Sequence, residues 1–101
     1  GRRSVSNVPA QALTMMNNPF VLQQARVWAE RLLADTTATP HDRIARAYEM
    51  SLGRLPTTLE TEAAIAFLAS QGKEYGGPND VRTWTDFCHV LLNVKEFVFV
   101  Q

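Results

Sequence analysis

The stretch from Trp84 to Leu92 constrains this chain most. Trp84, Phe87, Cys88, Leu91 and Leu92 stand at i, i+3, i+4, i+7 and i+8, the full template of a helix with one apolar stripe. Such a stripe is stable only against other apolar surface, so the rest of the chain must supply matching elements. It does so at the same period. Val21, Ala25, Trp28 and Leu32, widened by Leu22, Ala29 and Leu33, form one stripe. Ile44, Ala47, Tyr48 and Leu52 form another, and Leu59, Ala63, Ala66 and Phe67 are read as a further one.

The punctuation between these stripes agrees with helices. Asn7 and Pro9 open a first short helix that runs to about Met16. Asn18 caps and Pro19 begins a second. Thr39, Pro40 and Asp42 start a third, Asp42 and Arg46 are spaced for an ion pair, and Gly53 is the stop signal. Thr57 and Glu60 have capping-box spacing at the head of the next helix, which Gly72 ends. The turn-rich segment 72–80 reads as the most mobile loop. Asn79 or Asp80 starts the last helix, expected to end near Asn93. Residues 97–101 have β-propensity and no evident partner strand, so they are read as an extended tail. The expected architecture is all-α: a small bundle of four to five helices with short loops, a leading segment 1–6 and an extended C-terminal tail. Residues 1–101 form a single helical domain in this reading.

Composition narrows the function. Hydrophobic residues make up 46% and charged residues 20%, a globular rather than disordered balance. Ten basic and ten acidic residues cancel, which removes the electrostatic case for a nucleic-acid partner. A helix-turn-helix reader is rejected on the same ground, because Glu60 and Glu62 would meet phosphates. No apolar run is long enough for membrane insertion. No signal peptide opens the chain.

Candidate chemistry is sparse. Cys88 and His89 are adjacent, so on a helix they point about 100° apart and cannot easily share a metal. Cys88 belongs to the apolar stripe and is expected in the core, with His89 on the surface. Met15 and Met16 have no accompanying haem-attachment motif. Glu60 and Glu62 are two apart and diverge, so they make no acid/base pair. No catalytic residue, cofactor or metal is expected. Five residues are candidates for interaction. Gln11 is polar and fixed in a short helix. Arg54 follows Gly53, where a cation complements the negative helix end or meets an acidic partner. Glu96 precedes the apolar tail, and Phe97 and Phe99 would share one face of an extended strand.

Three stretches, VPAQALTMMNNPFV, LGRLPTTLE and LLNVKEFVFV, carry a resemblance. In their order and spacing they resemble the C-terminal part of a planctomycete-specific domain of unknown function. The matching residues are Pro9, Gln11, Ala12 and Leu13; Asn18, Pro19, Phe20 and Val21; Leu52, Gly53, Arg54, Pro56, Thr57 and Glu60; and Leu91, Leu92, Asn93, Glu96 and Phe97. The resemblance implies a large exported parent, often associated with cytochrome c modules, with this chain as its C-terminal helical piece. It implies a non-catalytic packing or interaction module whose partners are the upstream domains of the same parent, or a second copy through the C-terminal tail. The alternative is the C-terminal part of an enzyme whose active site lies upstream, polysaccharide-related or cytochrome-linked. A polar pocket gathering Gln11, Asn17, Asn18, Arg54 and Glu96 would favour the alternative.

Overall fold

The computed structural model describes the backbone of residues 19–100 and the side chains of residues 19–94. The first helix expected from the sequence, and Gln11 with it, lie outside the described residues. Four helices follow: α1 (Pro19–Ala34), α2 (Pro40–Leu52), α3 (Thr58–Gly72) and α4 (Val81–Val100). There is no strand among the described residues, so the chain is an all-α small bundle as the periodicity indicates.

The core is built around α4, which packs on each of the other three helices and most extensively on α1. Trp84, Phe87, Cys88, Leu91 and Leu92 are all buried, with Trp84 and Cys88 fully so. Ala25 and Ala29 of α1 are fully buried too, which lets two helix backbones approach closely. Leu32, Ile44, Ala47, Tyr48, Ala64 and Leu68 complete the core. Trp84 and Phe87 meet edge to face with ring centroids 5.5 Å apart.

Local signals set the helix ends. Thr39 and Asp42 form a full capping box on α2: each side chain accepts from the other's backbone N–H at 3.1 Å. Asp42 is thereby engaged, and Arg46 donates instead to Asp35 across the α1–α2 loop at 3.3 Å. Gly53 closes α2 with a positive φ of 71°, and its N–H donates to the carbonyl of Glu49. Thr57 and Glu60 form the second capping box, at 3.1 and 2.9 Å.

Two expectations need correction. In α3 the buried residues are Ala64, Leu68 and Gly72, while Leu59, Ala63 and Ala66 face outward. Apolar residues surround this helix on nearly every side, so periodicity alone does not orient it. The second correction concerns the tail. The backbone of α4 continues helically past Asn93 to Val100 rather than becoming extended. No Gly or Pro interrupts residues 81–100, and an established helix gains one hydrogen bond for each residue added. The β-propensity of Phe97 to Val100 yields to that propagation.

Gly72 shows what orients α3. A Cβ built there would lie 2.6 Å from the carbonyl carbon of Gly77 and from the nitrogen of Pro78, both backbone atoms. The loop after α3 therefore folds back onto this one position. Gly72→Ala is expected to destabilise the protein by about 1–3 kcal/mol through overpacking, despite alanine's better helix propensity. Denaturant melts check this. Unchanged or raised stability would show that the loop does not depend on the close approach.

Candidate functional site

Polar side chains gather at the helix junctions, and two of these clusters, at α2–α3 and α3–α4, bear on the candidate residues. At the α2–α3 corner, the left-handed Gly53 turns the chain so that Arg54 faces the first turn of α3. Arg54 Nη1 and Nη2 donate to Glu60 Oε1 and Oε2 at 2.8 and 2.9 Å, a two-pronged ion pair. Nη1 also donates to the Leu55 carbonyl at 3.1 Å, and the guanidinium lies 5.7 Å from the centre of the Tyr48 ring. Glu60 Oε1 accepts a further bond from the Thr57 N–H. The Arg54 fork, and then the Thr57 N–H, hold the Glu60 carboxyl down at about 2.

The second cluster ties the α3–α4 loop. Asp80 Oδ1 accepts from the Arg82 N–H at 2.8 Å and from Arg82 Nε at 3.0 Å. Its other oxygen accepts from Arg82 Nη2 and from the Gly76 N–H. The Arg82 side chain, followed by its N–H, keeps the Asp80 carboxyl well below the usual range. Arg82 in turn lies 4.9 Å from the centre of the Tyr75 ring. Tyr75 Oη and Gln71 Nε2 both donate to Asp86 Oδ2 at 2.8 Å, and the first of these bonds raises the Tyr75 phenol. The loop read as the most mobile segment is thus pinned at Gly76, Tyr75, Asp80 and, through a bond from Thr83 Oγ1, at the Gly77 carbonyl.

These clusters turn their chemistry inward. Glu60 is ionised at neutral pH and its oxygens are engaged by Arg54 and Thr57, so it makes a poor general base. Cys88 is fully buried, and burial pushes its thiol up to about 12, so it is not a thiolate nucleophile. His89, the next residue, is half-buried rather than fully on the surface. No three His, Cys, Asp or Glu side chains gather as a metal set among the described residues.

One concavity lies beside α3. It has a volume of about 210 Å³ and is lined by Pro40, Ile65, Leu68, Ala69, Pro78 and Trp84. That is smaller than the roughly 300–1,000 Å³ of ordinary ligand pockets. Two buried polar atoms, Trp84 Nε1 and Asn93 Oδ1, have no hydrogen-bond partner among the described residues.

Of the residues singled out from the sequence, Arg54 is engaged by Glu60 rather than open to a partner. Gln11, Asn17 and Asn18 lie outside the described residues. Glu96, Phe97 and Phe99 lie on the helical end of α4, with side chains outside the described set. The pairing of Arg54 with Glu60 escapes sequence reading because the two are six apart across a loop, where no helical spacing rule applies.

Fold and polar clusters together define a small all-α module with capped helices and tied junctions. The family model described as PSD1, protein of unknown function (DUF1553), matches residues 1–68, and the chain belongs to that family. Comparison with curated proteins and with solved structures gave no match. The family match ends inside α3, whereas α4 packs on all three preceding helices, so the folded unit extends past the matched residues.

The depressed Glu60 carboxyl makes stability pH-dependent. Its contribution is present above the ordinary value of 4.5 and is lost as pH falls toward about 2. Glu60→Gln is therefore expected to lower stability at pH 7 and to flatten the acid limb between those values. Chemical denaturation at a series of pH values checks this. A variant whose acid limb matches the parent's would show that the ion pair adds nothing in solution.

Proposed function

We propose that this chain is a non-catalytic helical packing module of a larger exported planctomycete protein, and that it binds the upstream domains of the same parent. One observation carries the reading. The described charged clusters are satisfied within the fold, while large apolar side chains stay in water: Phe20 is 73% exposed and Leu55 61%. Chemistry in a catalytic site is arranged the other way, with polar groups converging on an open cleft. Export and the planctomycete parent rest on the resemblance of the three motif stretches. Contact through the C-terminal end, with Glu96, Phe97 and Phe99, belongs to the same reading.

The test is to mix this chain with the separately expressed upstream part of its parent and follow binding by calorimetry. Saturable one-to-one binding is expected, weakened about tenfold by Phe20→Ser, since burying such a ring contributes roughly 1.5–3 kcal/mol. Two folded partners that give no heat and do not co-sediment would sink the proposal. Fractionation of cells that leaves the parent in the cytoplasm would sink its exported part.

A further inference from the structure

The outward face of α3 is built unlike a solvent face. Its buried side carries Ala64, Leu68 and Gly72. On the outward side, centred about 130° round the helix from it, Glu62, Ala66, Ala69 and Lys73 fall on one line, within about 60° of arc at about 100° per residue. All four are exposed, and Lys73 keeps the helical conformation that continues the line (φ −67°, ψ −23°). Leu59 flanks the line on one side at 78% exposed, and Ile65 on the other at 37%. A surface helix ordinarily presents charged residues here. This one presents an apolar strip closed by one acid at one end and one base at the other. Among the described residues neither Glu62 nor Lys73 takes part in an ion pair.

Opposite charges at the two ends of one face are self-complementary under a two-fold axis. We propose that α3 pairs antiparallel with α3 of a second copy of this chain. The axis passes between Phe67 and Leu68, midway along the line. Glu62 of each copy then meets Lys73 of the other, and Ala66 meets Ala69, where methyl side chains allow close helix contact. Ile65 reaches the level of Ser70 on the same flank. There it covers the mouth of the concavity lined by Leu68, Ala69, Pro78 and Trp84, which otherwise stays open. Parallel pairing would put like charges together, so the charges fix direction and register. One helix pair buries less than the roughly 1,600 Å² of a standard interface, so the dimer is weak. The inference is independent of the packing reading above, because it concerns a different face and needs no parent protein.

Sedimentation equilibrium on the full 101-residue chain tests it. Monomer is expected at about 5 µM and mostly dimer at several hundred micromolar, the range of a weak contact. Glu62→Lys and Lys73→Glu should each weaken association about tenfold or more, because each turns two attractions into two repulsions. The double exchange, Glu62→Lys with Lys73→Glu, should restore it. Circular dichroism verifies that these exposed positions leave the fold intact. Monomer throughout overturns the proposal, whether residues 1–18, another part of the parent or only water covers the face. So does a dimer indifferent to the single exchanges, or a double exchange no better than the weaker single.

Discussion

Everything in this fold leans on the burial of one stripe, Trp84 to Leu92, along α4. Each large side chain moved out of water there contributes roughly 1.5–3 kcal/mol, against roughly 1–2 kcal/mol of backbone entropy for each residue fixed. The balance is favourable only if the partners come close, and Ala25 and Ala29 on α1 permit that approach because both are fully buried and neither projects beyond Cβ. α2 and α3 then close the remaining sides with Ile44, Ala47, Tyr48, Ala64 and Leu68. The order of dependence is physical. Without α4, the apolar faces of the other three helices lose the surface they share.

Burial is non-directional, so something else must fix how the helices follow one another. Each junction carries a polar tie. Between α1 and α2 it is Arg43, a buried cation whose Nε donates to the Leu32 carbonyl and whose Nη2 donates to that of Asp35, at 3.1 and 3.0 Å. Those carbonyls belong to the end of α1, where the helix dipole is negative, so the charge and the orphan acceptors satisfy one another. Between α2 and α3 it is the Arg54–Glu60 fork. Between α3 and α4 it is Asp86, which gathers Gln71 and Tyr75. At the buried Arg43, loss of the guanidinium would leave carbonyls without a donor, whereas the Arg54–Glu60 fork reaches solvent and is worth less.

Local features were legible in the sequence, and three-dimensional ones were not. Thr57 with Glu60, Gly53 and the stripe of α4 are all written within a few residues of where they act, and the structure places each where its spacing indicates. Arg43 is the contrary case. It sits one residue before Ile44, and a charged residue reads as a solvent position until the end of α1 is brought against it. The orientation of α3 was illegible for a related reason, since Ala63, Ala64, Ala66 and Ala69 offer several equivalent stripes. What decides is the return of Gly77 and Pro78 onto Gly72, a contact between segments. The helical end of α4 departs from the extended tail that β-propensity at Phe97 to Val100 indicates, because a helix already runs into those residues. Of the candidate site, Arg54 was found but its partner was not.

The same distinction bears on the outward face of α3. Alanine at 63, 66 and 69 is explained by helix propensity alone, since alanine is the best helix former and needs no partner. Leu59 and Ile65 are not explained that way. Glutamate or lysine would serve the helix nearly as well at those positions and would be better solvated. Nor does the core require Leu59, almost wholly in water, whereas Ile65 is 37% exposed and also lines the concavity beside Leu68 and Trp84. A single exposed leucine is unremarkable, but this one lies on the same side as three alanines, with a lone acid and a lone base bounding the strip. The helix dipole by itself favours an acid toward the start of α3 and a base at its end. It does not ask for Leu59 to stand in water beside the strip, and a second copy of α3, brought to the same face by those two charges, would shelter that side chain.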